Sequence, residues 1–136
     1  MRPLRVPLKG GLGLTLEEMK KFVTDHFEDF VNRKKPEVAL VNFSADFLDR
    51  DEPPGPQVGP EAAVAMMKAA HQKWPDLHVD IEDMIAEGDK VMVRNAWRAT
   101  DAVSAKKIEF HGFVLWRFVN WQIVERRATL TAPREA

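Results

Sequence analysis

The sequence contains no cysteine, which excludes disulfide bonds and thiolate-ligated metal sites. Its histidines do not have the spacing of a zinc site either. The four of them are His26, His71, His78 and His111. We therefore expect no bound metal and no cofactor.

A surplus of positive charge is also absent, because 20 lysines and arginines are matched by 21 acidic residues. Nucleic-acid binding needs such a surplus on one face, so no nucleic-acid partner is expected. No apolar run is long enough to cross a membrane, and prolines and glycines interrupt the apolar residues where a signal peptide would need a continuous run. We expect a cytoplasmic protein with a loose N-terminal arm at residues 1–14 and a single domain at residues 15–136.

Helical patterns occupy the first half of the chain. Thr15 and Glu18 have the spacing of a capping box, and apolar residues then recur at helical spacing, with His26 among them, to about residue 33. A shorter helical piece is predicted in KPEVALVNFSADF, followed by a proline-rich loop. The segment Pro60 to Lys73 has proline in its first turn and predicts another helix.

The second half alternates with the period of β-strands, from Leu77 to Leu130, with a predicted turn at Gly88 and Asp89. Helices followed by antiparallel strands predict an α+β domain in which the helices cover one face of the sheet.

Three segments carry a resemblance to a known family: WPDLHVDIEDMIAEGDKVMVR, DFLDRDEPPGPQVGPEAA and FHGFVLWRFVNWQIVERRATL. Together they resemble the SnoaL-like polyketide cyclases, which have the nuclear transport factor 2-like fold. The resemblance implies a cone-shaped, curved antiparallel sheet wrapped around N-terminal helices. It also implies an apolar pocket at the wide end of the cone for a small organic ligand, and a homodimer.

Several positions depart from the family pattern. The residues found there are Arg50, Ala105, Trp121, Arg127 and Thr131. Thr131 stands where the resemblance places the acidic residue that cyclases use as an acid/base, so the cyclase mechanism cannot be transferred unchanged. Natural divergence and deliberate redesign of a scaffold would both produce such changes.

The last strand supplies the candidate catalytic residues. A period of two places Glu125 and Arg127 on one face, which the resemblance directs toward the cavity. A partly buried Glu125 would be a base suited to removing a proton next to a carbonyl, whereas an ion pair at the solvated rim would contribute little. His111 would complete an acid/base pair if it pointed inward, but the following Gly112 suggests a bulge that leaves its direction open.

The remaining candidates would contact a ligand. Asn95 interrupts an apolar strand face, so its amide needs a partner from either the protein or a ligand. Trp121 occupies a turn position that is sterically costly if φ is positive, so a contact of its indole should offset that cost. We expect the indole either to cover the pocket mouth or to be buried in a subunit contact. The other predicted ligand contacts are His26, Arg50, Trp74, Trp97 and Trp116. The acidic residues Asp46, Asp49, Asp51 and Glu52 are interpreted as part of a solvated loop, with a helix cap as the alternative for Asp46.

Two functional hypotheses follow. One is a cofactor-independent isomerase, cyclase or lyase that acts on an apolar, ring-containing molecule. The other is a non-catalytic binding or dimerisation module that keeps the pocket without the acid. Met92, Arg94 and Arg98 share the strand face on which a homodimer is expected to form.

Overall fold

The computed structural model describes residues 13–52 and 55–136. The predicted loose arm lies mostly outside the described residues, but Leu14 at its end is buried in the core. The helices are α1 (Leu16–Phe27), continued by a π-helical turn at Glu28–Asn32, a 3₁₀ turn at Pro36–Val38, α2 (Ala39–Asn42) and α3 (Pro60–Lys73). Within the described residues, no helix combines the length and apolarity needed to cross a membrane.

The start of α1 confirms the predicted capping box. Thr15 Oγ1 accepts a hydrogen bond from the Glu18 amide at 3.1 Å, and Glu18 Oε1 accepts one from the Thr15 amide at 3.0 Å. Two of the otherwise free amides at the helix start are thereby satisfied. The apolar stripe that follows, including Phe22, Val23 and Phe27, is buried against the sheet.

The strands form one curved, unclosed sheet in the order β2-β1-β6-β5-β4-β3, and β7 adds to one end of β5. They are β1 (Phe43–Asp49), β2 (Gln57–Val58), β3 (His78–Glu87), β4 (Lys90–Thr100), β5 (Lys107–Val119), β6 (Gln122–Leu130) and β7 (Arg134–Glu135). β1 pairs with β6 in parallel, and the other pairs are antiparallel. The α+β architecture with helices on one face of a curved sheet is confirmed.

β1 corrects the sequence prediction, which extended a helical piece through Phe47. Helix α2 ends at Asn42, and the chain then pairs with β6, with Asp49 opposite Arg126. Phe47 and Asp49 are both buried, because alternate residues of a strand point to the same side. The backbone hydrogen bonds to β6 make this segment a strand, and a single sequence does not reveal such long-range pairing.

Gly112 allows β5 to lie very close to β6. A Cβ atom there would lie 2.0 Å from the Thr129 carbonyl oxygen, so a larger residue would force the two strands apart. The β4–β5 ladder nevertheless runs through this point without interruption, with Asn95 opposite Gly112. The bulge considered at Gly112 is therefore not present, and the phase of β5 is unchanged on either side of it.

The irregularity lies instead between β5 and β6. Arg117 pairs with Glu125 and the next residue, Phe118, pairs with Ile123, so Val124 is an extra residue on β6. Such a bulge shifts the alternation of the strand. Ile123 and Arg126 both point toward the helices as a result, although a strict period of two would place them on opposite faces.

Candidate functional site

A cavity of about 580 Å³ lies between the concave face of the sheet and the helices. Its volume is within the range of small-molecule sites. Most of its wall is aromatic. The rings that line it belong to His26, Phe27, Phe30, Phe43, Trp74, Trp97, Phe110 and Trp116.

The aromatic wall offers flat apolar surfaces. The ring of Phe110 lies nearly parallel to that of Trp97, with the centroids 5.3 Å apart, and its centroid is 5.7 Å from that of Trp74. On the helical side, His26 stacks on Phe30 at 4.8 Å, and its Nδ1 lies 2.9 Å from the amide nitrogen of Asn42. Because that amide group donates, Nδ1 accepts and the ring is held in place. Such a wall suits a ring-containing ligand.

Four of the predicted ligand contacts therefore line the cavity: His26, Trp74, Trp97 and Trp116. Their contact with a ligand stays a prediction.

One edge of the cavity is charged. Asp49, at the end of β1, and Asp51 and Glu52, in the loop that follows, all line it together with Arg126 of β6. Arg126 Nη1 donates to both carboxylate oxygens of Asp49, at 2.9 and 3.1 Å. Asp51 Oδ2 accepts a hydrogen bond from the Ala128 amide at 2.7 Å. Asp49, Asp51 and Glu52 thus line the cavity, which corrects their interpretation as part of a solvated loop, whereas Asp46 lies in β1 and lines a smaller cavity.

Glu52 is only loosely paired with a cation at this edge. Arg126 Nη1 lies 3.8 Å from Glu52 Oε2, farther than from either oxygen of Asp49. Burial raises the pKa of Glu52 above its ordinary value, Arg126 opposes the rise and the negative charge of Asp49 adds to it. Since a raised pKa makes a carboxylate a stronger base, Glu52 is the group at this edge best suited to proton transfer.

Glu125 does not line the cavity, and the prediction that it would is wrong. In the β5–β6 pair, Trp116 and Arg126 are opposite each other and line the cavity, whereas the next pair, Arg117 and Glu125, points to the other side of the sheet. The Val124 bulge is the physical reason, because it reverses the alternation expected from Ile123 onward.

On that outer side, arginines surround the Glu125 carboxylate. Arg50 Nε donates to Oε2, Arg117 Nε donates to Oε1 at 3.0 Å, and Arg127 Nη2 lies 3.5 Å from Oε2. The hydrogen bond from Arg50, which has the largest effect, and the one from Arg117 together lower the pKa of Glu125 to about 2 despite the opposing effect of burial. A carboxylate with this pKa is a weak base at neutral pH. Its catalytic role stays a prediction that the geometry does not favour.

Arg127 and Arg50 belong to the same outer group and do not line the cavity. His111 also points outward, since it pairs with Ala96 while its neighbour Phe110 lines the cavity. It lies six residues from Arg117 along β5, or about 20 Å at ~3.4 Å per residue, so it cannot pair directly with Glu125. The expected inward acid/base pair of Glu125 and His111 is therefore wrong.

Asn95 points to the inner side but is absent from the cavity lining. It is completely buried, and neither its amide nitrogen nor its amide oxygen has a hydrogen-bond partner in the structure. The predicted interruption of an apolar face is confirmed.

Trp121 does not cover the cavity. Its indole is partly buried against the core and lines a second, smaller cavity of about 400 Å³. The turn has a positive φ only at Asn120, at 55°, so Trp121 avoids the predicted steric cost. The expected lid over the pocket mouth is wrong, and a subunit contact through Trp121 stays a prediction.

Thr131 lies at the cavity, where the resemblance places the acid of cyclases, but its hydroxyl accepts a hydrogen bond from the His111 amide. The carboxylates come instead from the end of β1 and the loop after it. These acids were not predicted to line the cavity, although the shared strand face of Phe47 and Asp49 is a signal in the sequence that indicates an inward Asp49.

Comparison with known proteins agrees with this architecture. The family model for the SnoaL-like polyketide cyclases matches residues 21–130. The chain belongs to this family. No curated protein sequence matches it.

Among solved structures, the SnoaL-like chain is similar to AclR from Streptomyces galilaeus, which is described as a hydroxylase. The TM-score is 0.76 at 21% identity, and the match covers 86% of this chain and 81% of that one. A SnoaL-like polyketide cyclase from Jannaschia sp. CCS1 gives 0.76 at 18% identity, covering 85% and 86%. An LEH-like epoxide hydrolase of M. tuberculosis gives a TM-score of 0.71 at 10% identity, covering 85% of this chain and 84% of that one. At these identities the likeness shows the fold alone, which hosts different activities.

The described residues contain no group of three or more His, Asp or Glu side chains placed to hold a metal ion.

Proposed function

We propose that this SnoaL-like protein binds a small, apolar, ring-containing molecule in its cavity and performs cofactor-independent acid/base chemistry on it. The reaction class is proton transfer next to a carbonyl group, as an isomerase, cyclase or lyase requires. Glu52 is the proposed proton-transferring group. The observation that carries the proposal is the position of this poorly compensated carboxylate at the edge of an aromatic cavity.

The way in which Asp49 and Glu52 share Arg126 at the charged edge supports this assignment. Arg126 is engaged by both oxygens of Asp49, whose side chain is only 6% exposed, so the two form a buried ion pair. That pair leaves Glu52 without a close cation of its own. A ring ketone stacked on the aromatic wall would present an acidic C–H to Glu52, which would accept the proton. When Glu52 releases that proton, Arg126 is near enough to stabilise the ionised carboxylate.

Asn95 remains a proposed ligand contact. A buried amide without a hydrogen-bond partner destabilises the folded protein. We therefore expect a bound ligand to supply the missing partner. It lies two residues before Trp97 on the same face of β4, next to the cavity wall.

The test is hydrogen–deuterium exchange at the carbon next to the carbonyl of 2-tetralone, followed by NMR. Wild-type protein should accelerate the exchange, and Glu52→Gln should slow it by roughly 10²-fold or more, because general-base catalysis contributes about that much. Binding of the same ketone, measured by tryptophan fluorescence, should be nearly unchanged in Glu52→Gln. Glu87→Gln, on an exposed residue of β3, is the matched control.

The outcomes separate the hypotheses. An unchanged exchange rate in Glu52→Gln removes Glu52 as the base, and a loss of rate in Glu125→Gln alone restores the original prediction. Binding without any exchange in wild-type protein favours the non-catalytic binding module. Absence of binding to 2-tetralone and similar ring ketones would contradict the proposed ligand class.

We also propose that the protein is a homodimer through the outer face of the sheet. Phe113, on that face, is 45% exposed and lies 5.4 Å from the Arg94 guanidinium, so an apolar ring is available there for a subunit contact. Light scattering at micromolar concentration should give the dimer mass, and Phe113→Glu should shift the mass toward the monomer. A monomer in the wild type would contradict the proposal.

A further inference from the structure

The outer face of the sheet carries an excess of arginine at one place. Arg50, Arg117 and Arg127 converge on the single carboxylate of Glu125, and we call these four residues the arginine cluster. Three guanidinium groups and one carboxylate leave two positive charges uncompensated within the cluster. The arginine side chains are 45%, 38% and 56% exposed, whereas that of Glu125 is only 9% exposed. The excess charge therefore faces solvent.

This excess is local. Elsewhere on the outer face, arginines pair one to one with acids: Arg94 Nε donates to Glu82 at 3.0 Å, and Arg98 donates to Asp80. Those pairs compensate their own charge, as is usual for a solvated protein surface. A single carboxylate shared among three arginines is a different arrangement, and it concentrates a positive potential at the seam between β5, β6 and the end of β1.

The geometry leaves the arginines able to bind an external anion. Arg50 and Arg117 both contact Glu125 through Nε, so these bonds do not use the two terminal nitrogens of either guanidinium group. Those terminal nitrogens form the planar fork that matches two oxygens of a phosphate. Because Glu125 already restrains the arginine side chains, less conformational entropy is lost when an anion binds.

We propose that the arginine cluster is a binding site for a phosphate group. A phosphate dianion matches the two uncompensated charges and can accept from several guanidinium forks at once. The site adjoins the charged edge of the cavity along the chain, because Arg50 lies between Asp49 and Asp51, both of which line the cavity. The phosphate belongs either to the molecule that enters the cavity or to a separate phosphate-bearing molecule. The proposal does not depend on the chemistry assigned to Glu52.

The test is a titration with inorganic phosphate at constant ionic strength, followed by ³¹P NMR and by the thermal unfolding midpoint, with sodium chloride as the reference salt. Phosphate should raise the midpoint more than chloride does. Arg127→Gln should weaken phosphate binding at least fivefold, because it removes one fork and one charge. Arg33→Gln is the charge-matched control, since Arg33 is 60% exposed on the helical side and pairs with Glu28 and Asp29.

Glu125→Gln makes the sharper test. Replacing the shared carboxylate raises the uncompensated charge from two to three, so phosphate should bind at least threefold more tightly. If this variant does not fold, Arg117→Gln replaces it and should weaken binding as Arg127→Gln does. Light scattering on each variant keeps changes in self-association apart from changes in phosphate binding.

Phosphate that stabilises no more than chloride would overturn the proposal, and so would equal affinities in Arg127→Gln and Arg33→Gln. The source of the phosphate follows from a comparison of 2-naphthyl phosphate with inorganic phosphate. Tighter binding of 2-naphthyl phosphate assigns the site to a ligand that also reaches the aromatic cavity. Equal affinity assigns it to a separate phosphate-bearing molecule, and both results support a phosphate site.

Discussion

Glu125 and Glu52 lie near the same seam between β1 and β6, yet their surroundings act on them in opposite directions. Three arginines surround Glu125 and lower its pKa to about 2, whereas burial raises the pKa of Glu52 and its nearest guanidinium is 3.8 Å away. The number and distance of the cations, and not burial alone, therefore decide whether a shielded carboxylate is a fixed charge or a proton carrier. Glu125 stabilises the folded state, whereas Glu52 is suited to proton transfer.

The largest expected effect on stability is that of Glu125→Gln. The pKa of Glu125 falls from 4.5 to about 2 in the folded protein, so its stabilisation is complete above pH 4.5 and is lost as the pH falls toward 2. After allowance for the exposed arginines, the loss at pH 7 should be about 2 kcal/mol. Urea denaturation at pH 7 and pH 3 measures it, and the difference between variant and wild type should shrink at pH 3.

Glu87→Gln is the control for that measurement, since Glu87 is exposed on β3. Equal stability of wild type and Glu125→Gln at pH 7 would mean that the arginines gain nothing from the carboxylate they share, and the contrast between the two regions would then fail.

Asn95→Leu extends the comparison from charges to an amide. Asn95 is completely buried and has no hydrogen-bond partner, so a leucine of similar shape removes an uncompensated polar group. We expect the free energy of unfolding to rise by about 1 kcal/mol. If Asn95 also contacts the ligand, the same variant should bind 2-tetralone more weakly. Lower stability in urea denaturation would show that the amide is satisfied and that this expectation is wrong.

Glu52→Gln should change stability in the opposite direction to Glu125→Gln, by a smaller amount. Because the folded state raises the pKa of Glu52, the folded state binds its proton more tightly and stability decreases as the pH rises from about 4.5 through that raised pKa. Glutamine removes this cost, so the variant should be slightly more stable than wild type at pH 7 and equal to it at pH 4. A lower thermal midpoint at pH 7 would contradict the assignment.

Most elements of the fold, though not β1, could be predicted from the sequence because their signals are local. The capping box at Thr15, proline at the start of α3 and the alternation of β4 each specify an element within a few residues. The site was predicted only in part. The inward position of Trp97 followed from the period of β4, and the apolar pocket followed from the family resemblance. The extra residue Val124, however, reversed the faces of β6, and the pairing of β1 with β6 brought Asp49 and Glu52 to the cavity. Both depend on contacts between distant segments, which a single sequence does not display.

The smallest expected effect is that of Ala105→Gly, which touches neither region. Ala105 has φ of 59°, a conformation in which its Cβ is crowded and glycine is not. Relief of that strain, offset by the extra freedom of glycine in the unfolded chain, should raise the free energy of unfolding by about 0.5 kcal/mol. Ala102→Gly in the same turn is the control, because Ala102 is not among the residues with positive φ and should lose stability. Neither residue lines the cavity, so binding of 2-tetralone and of phosphate should not change. Equal losses in the two variants would show that the left-handed conformation of Ala105 carries no strain.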